Sequence, residues 1–319
     1  MKLSKLAISG FIILLVFCQI SISNLYVQKK PLENINEEND NFLMDKLPDI
    51  NIPLQIETMN DFSKINNLKT IGSSNTILPP MTLLFSSLFE SLGEETTTTG
   101  SLVMAPDDSV IVGGSTTSQD LQMINAYDST YNGGQTDAFF VQILSNGKIL
   151  KSSYFGGTEN DAITKIAIDS KNNVILAGLT ESPDLPYTEN SYDFIYNGYT
   201  DIFISKFTYN GDLLWSTYFG GSYTDTITDL VLDSNDDIYI TGSTDSSNFP
   251  SFNQSIYGNT DAFLSKFSNN GSLLHSKFIG GSNNDYGSDL TIFNSSLILA
   301  GTTTSIGILE LVSLMSKMV

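Results

Sequence analysis

One phrase is written three times in this chain. "TDAFFVQILSNGKILKSSYFGG" begins at Thr136, "TDIFISKFTYNGDLLWSTYFGG" at Thr200 and "TDAFLSKFSNNGSLLHSKFIGG" at Thr260. The aspartates Asp137, Asp201 and Asp261 are 64 and 60 residues apart. The glycine pairs Gly156–Gly157, Gly220–Gly221 and Gly280–Gly281 keep the same two separations, as do the turn glycines Gly147, Gly211 and Gly271. A second set, Gly114, Gly178, Gly242 and Gly301, closes "VIVGG", "VILAG", "IYITG" and "LILAG". Self-similarity at such a period marks one supersecondary unit used repeatedly, each copy unable to bury its apolar face alone.

Each unit resolves into four strands, exemplified by "ITDLVLD" (strand a), "DIYITGS" (b), "TDAFLSKF" (c) and "SLLHSKFIGG" (d). Apolar–polar alternation and enrichment in β-branched and aromatic residues identify them as strands. Turn formers "DSKNN" and "DSNDD" separate a from b, and Asn-Gly separates c from d, where both residues tolerate positive φ. A loop of different sequence in every unit joins b to c. Strand d ends in Gly-Gly, where the chain can bend without a Cβ penalty. A four-stranded meander gains a second covered face only by stacking against the next copy, which is the β-propeller arrangement. The expected fold is therefore all-β: a β-propeller of four-stranded antiparallel blades, three full units plus partial ones, over residues 81–305. Phe139, Phe203 and Phe263 agree in all three copies and are assigned to the core. One position of strand d carries Lys151, Trp215 and His275, and its tolerance predicts an exposed site.

The ends depart from the repeat. Lys2 and Lys5 precede an uncharged run that is apolar to about Ile22, with small residues at Ser21–Ser23. Residues 1–23 read as an apolar helix, either a cleaved signal peptide or a membrane anchor, and both place the remainder outside the cytoplasm. Residues 24–80 are rich in Asn and acids with weak apolar periodicity, a polar, loosely ordered arm. "LLFSSLF" at 83–89 matches "LLWSTYF" at 213–219 and reads as a lone strand d. After strands a and b of a further unit, residues 306–319 are an irregular segment. The lone strand d closes a four-bladed ring with it, or the chain is a piece of a larger propeller; both stand open.

The run TDAFLSKF, NG, LLWSTYFGGS, LDS, DDIYITGSTDSSNFP resembles the SBBP family, repeats named for a seven-bladed β-propeller. The resemblance covers roughly residues 83–305. It implies secreted or surface-attached proteins, often large and multidomain, and no catalytic residues that can be carried over. "GEETTTTG" in place of "GGSYTDTIT" makes the first unit degenerate.

Carboxylates recur with the repeat. Asp161, Asp225 and Asp285 stand four residues after each glycine pair, and with the "TD" aspartates they form either a cation-attracting ring or turn-bound acceptors of backbone N–H groups. Recurrence in every blade favours the structural role, because a catalytic site needs an asymmetric constellation. Asp233, Asn235 and Asp237 have the spacing of a calcium loop, so calcium is the one cofactor the sequence raises. However, Ile238 replaces the required glycine and Thr244 the bidentate acid. His275, the one histidine, lacks a nucleophile elbow. Asn253, Asn270 and Asn294 lie in N-x-S sequons, candidate glycan sites in an exported chain.

Composition narrows the function. With 15 lysines, no arginine, 35 acids and a net charge of -20, the chain is a poor partner for nucleic acid. A single cysteine, Cys18, excludes a disulfide framework. The resulting expectation is a non-catalytic extracytoplasmic scaffold or interaction module, binding protein or glycan at the cell surface through its variable b–c loops. The alternatives are a carbohydrate-active enzyme of glycoside hydrolase or lyase type using acids at the axial mouth, and a calcium-stabilised surface protein.

Overall fold

The structure is a computed structural model. It describes residues 101–306 except 190, 253–255 and 295, and it assigns strands to β1 (Phe11–Phe17) and β2 (Thr82–Phe89). Contacts divide the chain into two units, Met1–Leu15 with Leu84–Val319, and Val16–Leu83. The described repeats all belong to the first.

Three four-stranded antiparallel sheets follow one another along the chain. The first comprises β3 (Ser101–Met104), β4 (Val110–Thr116), β5 (Asp137–Ile143) and β6 (Ile149–Phe155). The second comprises β7 (Asp161–Ile168), β8 (Val174–Thr180), β9 (Asp201–Phe207) and β10 (Leu213–Phe219). The third comprises β11 (Asp225–Leu232), β12 (Ile238–Thr244), β13 (Asp261–Phe267) and β14 (Leu273–Ile279). A two-stranded sheet, β15 (Asp285–Phe293) and β16 (Ser296–Thr303), ends the series. Each is a simple meander, so the expected a-b-c-d order holds, and β3 is short where the first unit is degenerate. No helix occurs among the described residues.

The core lies between sheets. One cluster joins Ile111, Phe140 and Phe155 of the first sheet to Ile163, Phe203 and Tyr218 of the second. The next joins Ile204, Trp215 and Phe219 of the second to Ile227, Phe263 and Phe278 of the third. A third joins Tyr239 and Leu264 to Leu290, Leu297 and Leu299 of the two-stranded sheet. Phe139, Phe203 and Phe263 are buried as expected, Phe203 and Phe263 in clusters shared with the preceding sheet. Stacking of this kind removes several large aromatic side chains from water per junction, at about 1.5–3 kcal/mol each. It is consistent with consecutive propeller blades.

Two kinds of turn set the strand register. Between a and b the chain closes a five-residue loop, Asp169–Asn173 or Asp233–Asp237, with Asn172 (φ 67°) and Asp236 (φ 63°) left-handed. Between c and d the loop has the same hydrogen bonds, but Gly147, Gly211 and Gly271 hold the left-handed position at φ 81–89°. Their Asn neighbours are not left-handed, so these hairpins are not the two-residue form the Asn-Gly signal suggests; they are a type I turn followed by a left-handed glycine. At two of these turns a side chain would also meet a neighbour, the movable end of a lysine at one and a fixed ring at the other. A Cβ on Gly211 would lie 2.4 Å from Lys151 Nζ, and one on Gly271 2.9 Å from the Trp215 ring. Strand a carries an extra residue opposite the strand-b glycine, as between Ile227 and Asp229 facing Gly242.

The structure differs from expectation in the strand-d position and in how the glycine pairs act. The Lys151/Trp215/His275 position is not a solvent site: Lys151 and Trp215 are buried and His275 is half-buried. Lys151 and Trp215 reach the c–d hairpin of the following sheet, where Lys151 Nζ donates to Tyr209 O at 3.4 Å and Trp215 Nε1 to Asn269 O at 3.1 Å. Side chains so unlike are tolerated because each has its own neighbour, a hairpin for Lys151 and Trp215 and Phe252 for His275. The glycine pairs are expected to let the chain bend without a Cβ penalty, and none of the six needs positive φ to do so. Gly156, Gly220 and Gly280 are there because aspartate carboxylates occupy the space a side chain would take. At the N-terminus a strand is assigned to Phe11–Phe17, and the expected apolar helix of residues 1–23 otherwise lies outside the described residues. The polar arm at 24–80 and nearly all of the C-terminal segment 306–319 lie outside them too.

Candidate functional site

The repeated aspartates gather at one end of the stack, where strand d turns into strand a and the b–c loop departs. Asp137, Asp201 and Asp261 open strand c; Asp161, Asp225 and Asp285 open strand a of the following sheet. The two sets are held side by side by backbone bonds: Asp161 N donates to Thr136 O at 2.9 Å, Asp225 N to Thr200 O at 2.8 Å and Asp285 N to Thr260 O at 2.9 Å. All six side chains are at most 2% exposed.

Each carboxylate saturates one oxygen with turn donors. Gly157, Gly221 and Gly281 N–H groups donate to Asp161, Asp225 and Asp285 Oδ2 at 2.6–2.7 Å. Ser182, Ser246 and Ser305 hydroxyls donate to the same three oxygens at 2.8–3.0 Å. Asn132, Asn197 and Tyr257 N–H groups donate to Asp137, Asp201 and Asp261 Oδ2 at 2.5–2.9 Å. The acceptor role expected for these aspartates is what the geometry displays. Burial, the largest effect, pushes Asp137 and Asp201 up to about 7, although N–H donors pull the other way. Burial likewise pushes Asp161 and Asp225 up to about 6 against the Thr180 and Thr244 hydroxyls.

The serines were not singled out from sequence. Their signal is a T-x-S sequence at the end of strand b: Thr116-x-Ser118, Thr180-x-Ser182, Thr244-x-Ser246 and Thr303-x-Ser305. In each, the threonine hydroxyl accepts the serine N–H at 2.9–3.0 Å, which aims the serine at the next turn.

Other candidates lie apart. Asp233 Oδ1 accepts the Asn235 and Asp237 N–H groups at 2.9 and 3.0 Å, closing the a–b turn. Its second oxygen and Asp237 are bridged by Lys266 Nζ at 3.3 and 3.0 Å, so an ammonium stands where the calcium-loop reading puts a cation. Among the described residues no group of three or more His, Cys, Asp or Glu is placed to hold a metal. His275 stacks on Phe252 with centroids 5.6 Å apart, away from the aspartates. Its pKa is lowered by burial and by Lys277. Asn270 and Asn294 are exposed in turns, while Asn253 lies outside the described residues.

The b–c loops provide the exposed apolar surface at this end. Tyr187, Phe194 and Tyr199 of the second loop are 52%, 56% and 71% exposed, and Tyr257 of the third is 57% exposed. Tyr187 lies against Phe194, and Tyr199 stacks on Tyr223 from the following d–a turn.

Comparison with known proteins agrees with this architecture. A stretch of 174 residues, 53% of the chain, is 27% identical to the "Regulatory protein FlaEY" of Caulobacter vibrioides and covers 18% of that protein's length. Residues 214–250 match the family model of SBBP, described as a beta-propeller repeat. That match starts in β10, crosses Gly220, Gly221 and Asp225, and ends beyond Ser246, so it spans one whole junction between sheets. In its repeats, this chain is similar to the SBBP beta-propeller proteins.

Proposed function

We propose that the chain is a non-catalytic β-propeller interaction module that works outside the cytoplasm, binding a protein or glycan through its b–c loops. The observation that carries this reading is the division of labour at one end of the stack. The repeated aspartates are equivalent from junction to junction, buried and bound to turn N–H groups. A glycoside hydrolase or lyase needs instead two carboxylates from non-equivalent positions, open to substrate in a cleft. The loops beside them expose tyrosine and phenylalanine, whose broad, rigid faces suit both protein contacts and sugar stacking. The word "regulatory" in the relative's name accords with a binding role, though the two share only a small part of that protein. The lysines before an apolar N-terminal run support export.

The test is a triple substitution, Tyr187→Ser with Phe194→Ser and Tyr199→Ser, assayed on a panel of immobilised glycans and on intact cells of the source organism. The expected result is loss of binding with an unchanged melting temperature. Turnover of a polysaccharide by the unaltered chain would replace this reading with the enzymatic one.

A further inference from the structure

The last sheet ends on an open edge. In the first three sheets strand b runs between strands a and c: β4 between β3 and β5, β8 between β7 and β9, and β12 between β11 and β13. β16 pairs with β15 alone, and among the described residues no strand lies along its other side. A groove between the last two sheets opens at the same place. Its walls include Ala262 and Ile279 of the third sheet and Leu299, Gly301 and Thr303 of β16.

At the two preceding junctions a phenylalanine of strand c takes the corresponding position. Phe203 lies opposite Gly178 and packs on Phe155, which ends strand d of the sheet before, with ring centres 5.5 Å apart. Phe263 lies opposite Gly242 and packs on Phe219 with ring centres 6.0 Å apart. By repeat register Gly301 corresponds to Gly178 and Gly242, and Ile279 to Phe155 and Phe219. Phe155, Phe219, Gly178 and Gly242 are buried, whereas Ile279 and Gly301 are half-buried. The last junction therefore has the apolar walls of the others and an uncovered edge beside them.

A matching strand is written just past the described residues, in the segment expected to be irregular. "VSLMSKM", residues 312–318, keeps the pattern of "DIFISKF" at 201–207 and "DAFLSKF" at 261–267. Ser316 and Lys317 repeat Ser205–Lys206 and Ser265–Lys266. Leu314 takes the place of Phe203 and Phe263, Met315 that of Ile204 and Leu264, and Met318 that of Phe207 and Phe267. Val312 replaces the aspartate that opens the other c strands. Eight residues, 304–311, separate it from the end of β16, against sixteen in the loop 245–260. That is ample, since antiparallel neighbours can be joined by about two residues.

We propose that Val312–Met318 is strand c of the fourth sheet, seated antiparallel along β16 with Leu314 opposite Gly301 and turned into the groove over Ile279. The repeat fixes the register: Thr303 faces Val312, Thr302 faces Ser313 and Leu297 faces Met318, as Thr244 faces Asp261, Ser243 faces Ala262 and Ile238 faces Phe267. Pairing satisfies the outer N–H and C=O groups of β16, which would otherwise be a template for a strand of another molecule. A short tether favours this chain's own segment over any free strand, because it holds the segment at an effective concentration of order millimolar. Lys317 has no counterpart to the aspartates that Lys206 and Lys266 meet, for the β15–β16 turn carries no acid.

The experiment is disulfide trapping in the full chain with Cys18→Ser as background. Thr302→Cys with Ser313→Cys should oxidise to an intrachain disulfide in a monomer, read by mass spectrometry and gel filtration, because directly opposed residues have the required Cα separation. Thr302→Cys with Ser316→Cys, three residues out of register, should stay reduced. Separately, Leu314→Asp should remove amide-exchange protection along β16, while Lys317→Met leaves it unchanged. If Leu314→Asp does not fold, the disulfide decides alone. Failure of the in-register pair to close, or equal closure of the out-of-register pair, overturns the proposal. A disulfide joining two copies also overturns it and assigns the edge to a second molecule.

Discussion

The two ends of the sheet stack solve one problem in opposite ways. At the end formed by the glycine pairs and b–c loops, every junction is tied by the same parts: two buried aspartates, a turn N–H and a T-x-S serine. No lysine takes part in those ties. At the other end, formed by the a–b and c–d turns, the ties are charged and each differs. Lys206 pairs with Asp169 at 2.7 Å almost fully out of water and reaches on to Asn269 of the next hairpin. Lys266 bridges Asp233 and Asp237 and lies 4.9 Å from the Tyr239 ring centre. Tyr209 reaches back to Asp107 and Ser109, and Ser170 bonds Asp236 across adjacent a–b turns. The difference teaches that uniform contacts carry the repeat, while improvised ones match each pair of neighbours.

The contrast can be broken most forcefully at the charged end. Lys206→Met leaves Asp169 buried without its ammonium, a loss of about 3–5 kcal/mol in urea unfolding, since removing one partner strands the other. A cost near zero would mean that the Asn173 and Lys171 donors to Asp169 suffice by themselves. Next come the glycines. Gly220→Ala drives a methyl into two carboxylates, and Gly271→Ala meets both the Trp215 ring and a φ of 85°. Each is expected to lose about 1–3 kcal/mol. Gly271→Ala should speed amide exchange at the β13–β14 hairpin, and Gly220→Ala at the β10–β11 turn.

A graded effect comes from pH, and it sharpens the comparison because the two ends answer in opposite directions. Asp169 is held low by Lys206 and neighbouring donors despite its burial, and Asp229 by the Leu290 N–H and Lys165. Depressed carboxyls stabilise above their unfolded value and fail as pH falls through the folded one. Hydrogen exchange should therefore open the a–b turns first below about pH 4. Raised carboxyls stabilise below their unfolded value and fail as pH rises through the folded one, so exchange should open the glycine-pair turns first above about pH 7. Simultaneous opening at both extremes would dissolve the distinction. The smallest effect belongs to the loop surface: Tyr199→Ser should shift stability by less than about 0.5 kcal/mol, because nearly three-quarters of that side chain already faces water.

The uniform end was legible in the sequence and the improvised end was not. Asp201, Asp225 and Gly220 recur in register, so their shared structural role could be inferred from three copies. The strand-c phenylalanines followed from the same logic. Lys151, Trp215 and His275 misled for the complementary reason: variation among copies reads as solvent exposure, yet it arises where each side chain meets a different neighbour. The T-x-S serines were visible but mute, since a serine at a strand end has many uses and only the fold aims this one at an aspartate. The Asp233 turn showed calcium-like spacing, and only the fold brings Lys266 into it.

By itself the sequence determined the meander, its turns and the existence of an apolar face that must be covered by a neighbour. These are local or periodic properties, set by alternation, by residues that accept left-handed φ and by recurrence. Only the tertiary structure decided which turn donors each carboxylate meets and which lysine answers which acid. Those outcomes depend on contacts between residues 20 to 100 positions apart. Burial and charge at such contacts are fixed when sheets stack, not when strands form.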